Sequence, residues 1–197
     1  SPHDFSPGES QAFCETVGAA VSGRTTRLGY TSRALERIPL LDAFVGATLR
    51  YLAWPSPKQG LSGVLAWGRK PSARRSEQWG ARLGVPVIRL EDAFLRSFGT
   101  GDRFPPLALA LDRVGIYYDS TRPSEIEALL ESETDLLGPS RDGVLCARAA
   151  LASSRLSKYN HALPLRSDRL RPGDPRRVLV IDQTAGDLSV SLGSASA

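Results

Sequence analysis

The sequence predicts an α/β fold with a Rossmann-like, mostly parallel sheet, on three observations. Short strand-like runs recur at residues 26–30, 63–67 and 85–90, the second of them continuously apolar. Segments with helical spacing of apolar residues lie between them. Each run ends in a loop that carries glycine, basic or acidic residues. Continuous apolar runs suit strands covered on both faces, and alternation with helices makes such a sheet parallel.

Taken in order, residues 1–25 are rich in Ser, Gly and Thr and read as a flexible N-terminal segment with one short helix at 9–21. Residues 26–30 form the first strand. Leu40, Leu41, Phe44 and Val45 give residues 36–49 a helical spacing, interrupted near its start by Pro39. Gly63-Val64-Leu65-Ala66-Trp67 is the second strand, and Ser72 opens a helix through Leu83 that Gly84 closes. Residues 85–90 make a third strand, whose Pro86 suits only a strand start or an edge. Residues 104–111 and 114–118 read as two short strands with a turn between. Pro123 suits a first helical position for a helix at 124–131, and a further helix covers 140–156.

The Arg- and Pro-rich residues 164–177 read as a linker. The run Val178-Leu179-Val180-Ile181, followed by Asp182-Gln183-Thr184-Ala185-Gly186-Asp187, reads as a strand and the loop at its carboxyl end. That pair is expected to begin a second domain whose body is missing. The implied organisation is a segment at 1–25, a Rossmann-like domain at 26–163, a linker at 164–177, and the opening of another domain at 178–197.

Composition narrows the function classes. At 197 residues the chain holds one ordinary domain with a full core. The net charge of +4 comes mostly from arginine, since Lys58, Lys70 and Lys158 are the only lysines. Arginine enrichment matches the accompanying Ala, Gly and Leu usage, and no strand interleaves aromatic with basic residues, so a nucleic-acid-binding domain is the weaker reading. No apolar run approaches the roughly 20 residues that span a bilayer. Cys14 and Cys146 are too few for a disulfide framework or a zinc site, and His3 and His161 are the only histidines. No Walker-type loop, nucleophile elbow or metal-binding acid pair is present.

Three loops are expected to meet at the sheet's carboxyl edge, where open α/β sheets bind ligands. In the first, Gly68 lets backbone approach a ligand, and Ser72 begins a helix whose free N–H groups favour anions. The same residues also fit a solvated basic turn. The second sets Glu91 and Asp92 between Arg89 and Arg96. Acids so placed suit a nucleophile or base, and equally a salt bridge. The third is the stretch from Gln183 to Asp187.

Six runs decide between these alternatives: Trp67-Gly68-Arg69-Lys70-Pro71-Ser72, Pro86-Val87-Ile88-Arg89-Leu90-Glu91-Asp92, Pro105-Pro106-Leu107, Gly115-Ile116-Tyr117-Tyr118-Asp119, Leu156-Ser157-Lys158-Tyr159-Asn160 and Val180-Ile181-Asp182-Gln183-Thr184. In this order they resemble the retaining β-Kdo transferases of bacterial capsule polysaccharide biosynthesis (Kdo is 3-deoxy-manno-octulosonic acid). The resemblance covers about residues 27–190. It departs from the family pattern at Ala93, where glycine is usual, and at Arg69, where histidine is common.

The resemblance implies the acceptor-side half of a two-domain, GT-B-like glycosyltransferase that uses CMP-Kdo as donor, a lipid-linked acceptor and no metal. It implies Asp187 as nucleophile and Glu91 as the base for the acceptor hydroxyl. Arg69, Ser72, Asp92, Arg96, Lys158, Asn160, Gln183 and Thr184 are the matching candidates for holding substrate. A cytoplasmic location, peripheral to the inner membrane beside other capsule assembly proteins, is implied too. Catalysis is expected to need the missing donor half. A capsule-assembly or export-associated binding protein without catalysis is the alternative.

Overall fold

The structure is a computed structural model that describes residues 26–53, 60–101, 103–163 and 186–193. Five strands form one sheet: β1 (Arg27–Tyr30), β2 (Thr48–Tyr51), β3 (Gly63–Trp67), β4 (Val87–Asp92) and β5 (Leu109–Asp112). Their order is β2-β1-β3-β4-β5. The first four are parallel, and β5 runs antiparallel to β4 at one edge. The fold class read from the sequence is therefore the one observed.

The continuous apolar run of β3 places it between β1 and β4, with Val64 and Leu65 fully buried. Strand periodicity then sorts the two faces. On one face Leu28, Leu65, Ile88 and Leu90 meet Leu35 and Leu41, which arrive from the β1–β2 connection. That connection consists of a 3₁₀ turn (Arg33–Arg37) and the short α1 (Leu41–Val45). On the other face lies α2 (Ala73–Leu83). Its Ser76 hydroxyl donates to the Leu65 carbonyl at 2.7 Å, and a Cβ on its Gly80 would stand 2.8 Å from Val87 Cγ2. The crossover from β1 to β2 runs one way along the sheet and those from β2 to β3 and β3 to β4 run the other, and right-handed crossovers of opposite direction lie on opposite faces.

Four local expectations are corrected. The single helix at 36–49 is instead the 3₁₀ turn, α1 and the edge strand β2. Pro39 precedes Leu40 at φ 55, Gly46 ends α1 at φ 59, and the chain then pairs with β1. β4 starts after Pro86 and continues through Glu91 and Asp92, so both acids stand on the strand end and not in a loop. Residues 114–118 form no strand. The buried Asp112 carboxylate accepts from Val114 N (2.8 Å), Gly115 N (2.6 Å) and Glu125 N (3.0 Å), which folds the chain back. Gly115 is required there, because a Cβ would collide with the Pro123 carbonyl.

Finally, Ser124 caps α3 (Glu125–Glu131) in a reciprocal capping box with Glu127, which leaves Pro123 outside the helix. α2 does end at Gly84 as expected, at φ 65, but Ser72 makes no side-chain capping bond. α4 (Arg141–Ser153) and a final short α5 (Leu188–Leu192) complete the described chain. The expected helix at 9–21, the linker and the strand at 178–181 lie outside the described residues. Among the described residues no helix is long and apolar enough to cross a membrane.

Candidate active site

A cleft of about 370 Å³ opens where β1, β3 and β4 end. Trp67, Lys70 and Ser72 line it from the β3–α2 loop, Glu91 and Asp92 from β4, and Arg96, Pro105, Pro106 and Tyr159 from the segments beyond. The parallel strands bring these loops together, because all carboxyl ends face one edge. A wider depression of about 770 Å³ over α1 and β2 includes Tyr30, Leu41 and Leu49, and holds none of the candidate site residues.

Glu91 is half-buried, and its Oε1 accepts from Asp92 N at 3.1 Å. Burial is the main influence and raises its carboxyl above the usual range, against the Asp92 N–H and the Lys70 and Lys158 charges. The neighbouring Asp92 has another duty: its Oδ1 accepts from Arg96 Nε at 2.7 Å. Arg96 also donates to Phe104 O (2.6 Å), Ser97 Oγ (2.9 Å) and Gly99 O (3.3 Å). Arg96 thus lines the cleft while its guanidinium organises the 96–107 loop.

Lys158 and Asn160 sit on a segment laid against that loop. The Lys158 carbonyl accepts from Arg96 N and Ser97 N, and Asn160 N donates to Phe98 O at 2.7 Å. The Asn160 side chain closes its own turn, accepting from Ser157 N at 2.8 Å and donating to Ser157 O at 2.9 Å. Its role is local architecture, whereas the Lys158 charge reaches both Glu91 and Asp187.

Asp187 caps α5, and its carboxylate accepts from Ser189 N at 2.9 Å. The Ser189 bonds hold its carboxyl below the usual range, helped by Lys158 and Lys70. Ser120 N donates to Leu192 O at 2.8 Å, which docks α5 on the 117–121 turn. Glu91 and Asp187 therefore share the field of the same two lysines while being pushed in opposite directions. Carboxyls whose environments separate their titrations in this way fit distinct acid–base and nucleophilic roles. Gln183 and Thr184 lie outside the described residues.

Arg69 forms an ion pair with Asp119 at 2.9 Å. Asp119 is 1% exposed. Burial alone would raise its carboxyl. The Thr121 hydroxyl and N–H outweigh that, with Arg69 and Arg122, and hold it below the usual range. Neither Arg69 Nη1 nor Asp119 Oδ2 has an aligned hydrogen-bond partner, so the contact is chiefly ionic.

A folded-state value below the unfolded one contributes stability that is present above the unfolded value, near 4, and lost as pH falls through the folded one. Thermal melts from pH 7 to pH 2 are thus expected to fall more steeply for the native chain than for Asp119→Asn. The variant should start from a lower melting temperature at pH 7. Parallel curves would remove Asp119 from the acid response.

Sequence reasoning overlooked the tyrosines. Tyr159 lines the cleft. Tyr117 donates to Asp92 O at 3.2 Å, and burial, then Glu91 and Asp92, push its phenol up to about 12. Tyr118 accepts from Arg69 N at 3.0 Å. The signal was the Gly115–Asp119 run, one of the six that carry the resemblance, in which Tyr117 and Tyr118 read as the end of a strand at 114–118. Among the described residues no three His, Cys, Asp or Glu side chains converge as metal ligands.

Residues 62–168 match a family described as capsule polysaccharide biosynthesis protein. Capsule polysaccharide modification protein LipA of Neisseria meningitidis serogroup B is 40% identical over 169 residues, 84% of this chain and 23% of that protein. Lipopolysaccharide-processing protein LpsZ of Rhizobium meliloti is 38% identical over 136 residues, 66% of this chain and 30% of that protein. Among solved structures, KpsC of Thermosulfurimonas dismutans, titled a beta Kdo 2,4 transferase, superposes with a TM-score of 0.77 at 40% identity. That match covers 88% of this chain and 54% of that one. The chain thus spans under a third of these two curated relatives and about half of the solved one.

Proposed function

Because the chain belongs to the capsule polysaccharide biosynthesis family, we propose that it is the acceptor-side part of a retaining β-Kdo transferase that draws Kdo from CMP-Kdo. The observation that carries this reading is its likeness, at TM-score 0.77 and 40% identity, to a structure titled a beta Kdo 2,4 transferase. Two features support it: Glu91 lines the cleft with a carboxyl raised by burial, and Asp187, which caps α5 outside the cleft lining, feels the same two lysines and is held below the usual range.

The proposed reaction is a double displacement. An Asp187 carboxylate oxygen attacks the anomeric carbon of Kdo, and the bond to the CMP phosphate oxygen breaks with its electron pair leaving on CMP. The acceptor hydroxyl oxygen then attacks that carbon, Glu91 takes the hydroxyl proton, and the bond to Asp187 breaks to restore the carboxylate. Two inversions give net retention, by analogy with retaining glycosidases. Lys70 and Lys158 supply positive charge where an anionic sugar and phosphate would lie. CMP needs no metal to depart as a phosphate monoester. The acceptor is read as lipid-linked, which places the protein on the cytoplasmic side of the inner membrane beside other capsule assembly proteins. GT-B organisation, with donor binding in a second domain, belongs to the same proposal.

Incubating the longest polypeptide that carries this segment with CMP-Kdo and a Kdo-bearing glycolipid tests the reading. CMP release should match transfer one for one, with the product anomer the same as the donor's. An inverted product, or continued CMP release beyond one equivalent of protein that ignores the acceptor, would contradict it.

A further inference from the structure

Gly68 is the point where Glu91, which lines the cleft, and Tyr118 both approach the backbone. It has φ 46, and a Cβ built on it would stand 2.7 Å from Glu91 Oε2 and closer still to the Tyr118 hydroxyl. Only a residue without a side chain lets the carboxylate and the phenol come over the same patch of backbone. The phenol is fixed from behind. Arg69 N donates to its oxygen at 3.0 Å, Arg69 is itself tied to the buried Asp119, and the Tyr117 ring packs edge-on at 5.6 Å. Having accepted a bond from the backbone, the hydroxyl still has its own proton to donate.

We propose that Tyr118 is a positioning residue for Glu91: its hydroxyl, held by the Arg69 N–H, presents its proton on the Glu91 side of Gly68 and keeps that carboxylate turned into the cleft. The inference rests on reading Glu91 as the acceptor's base. It extends that reading to a residue that need not touch substrate. The same turn reaches the other proposed carboxylate, because Ser120 holds Leu192 at the far end of the helix that Asp187 caps. One loop from Tyr117 to Ser120 thereby braces both sides of the reaction.

Asp92, Lys70, Lys158, Tyr117, Tyr118 and Tyr159 all act electrostatically with Glu91. Of these, Tyr118 alone shares the Gly68 contact. Its removal should therefore register at Glu91 directly. The test is a carbon-13 NMR titration of the 197-residue chain labelled at glutamate carboxyls, with the Glu91 signal assigned by its loss in Glu91→Gln.

In folded Tyr118→Phe, the Glu91 midpoint is expected to rise, by up to roughly one pH unit, as the hydroxyl dipole beside the carboxylate is lost. An unmoved midpoint overturns the proposal. If Tyr118→Phe does not fold, the reciprocal measurement decides. Glu91→Gln should lower the Tyr118 phenol midpoint, read from a ring label, and no change there overturns it equally. Neither titration needs turnover, so a chain without Kdo transfer can still show the coupling. A chain with transfer can likewise lack it.

Discussion

Replacing Glu91 with Gln is expected to lower Kdo transfer by at least roughly a hundredfold, the scale of a lost general base, while leaving the melting temperature nearly unchanged. Glu91 makes no buried ion pair, and its bond from Asp92 N can pass to the amide oxygen of Gln. The loss should fall on the second half of the reaction. In the proposed double displacement, departure of CMP needs only Asp187, whereas attack by the acceptor hydroxyl needs a group to take its proton. Asp92→Asn is the contrast: it weakens the Arg96 contact that orders the 96–107 loop, so it should cost less in rate and more in stability. Equal loss of rate and stability in both variants would assign Glu91 to architecture.

The largest effect on folding is expected from Leu65→Ala. Leu65 is 0% exposed, lies in β3 at the middle of the sheet, pairs with Tyr30 and Ile88, and belongs to the cluster with Leu35, Leu41 and Leu90. Truncating it removes transfer energy and leaves a void between the sheet face and the covering Leu35 and Leu41, for about 3 kcal/mol. In a domain of this size that lowers the melting temperature by roughly 10 °C. Leu107, 74% exposed, supplies the control. Leu107→Ala should stay within about 0.5 kcal/mol of the native chain. A small effect at Leu65 would mean that the sheet's apolar face is not the core. Chemical denaturation of the two variants settles the comparison.

The sheet was legible where burial writes itself directly into composition. Gly63–Trp67 shows this most plainly, as an unbroken apolar run bounded by polar loops. α2 was equally legible, because Gly84 at its end adopts the left-handed conformation that its position suggested. β2 was not. Thr48-Leu49-Arg50-Tyr51 follows a helical pattern at Leu41, Phe44 and Val45, and the switch of period is hidden at Gly46. The turn at 114–118 was misread because Val114, Ile116 and Tyr117 favour strands locally, whereas the Asp112 carboxylate binds three N–H groups and curls the chain. Such a tertiary capture leaves no periodic trace.

The site divides in the same way. Glu91 and Asp92 could be placed beside the carboxyl end of a strand because the run before them is apolar, although they read as loop residues and the strand in fact includes both. That Arg96 and Asn160 spend most of their side-chain hydrogen bonds on their own turns follows no periodic pattern, and the backbone pairing of residues 96–98 with 158–160 joins segments about sixty residues apart, which spacing along the chain does not encode. The same distance hid Tyr118, whose meeting with Glu91 exists only because Gly68, fifty residues earlier, leaves room.

The division of labour between the two carboxylates is tested most directly by mass spectrometry of the Glu91→Gln protein, in the longest polypeptide that carries this segment, after exposure to CMP-Kdo and acceptor. With the first displacement intact and the second slowed, one Kdo should accumulate as an ester, and peptide mapping should place it on Asp187. An unmodified protein that has nonetheless released CMP, or a Kdo ester on any other carboxylate, would contradict the account.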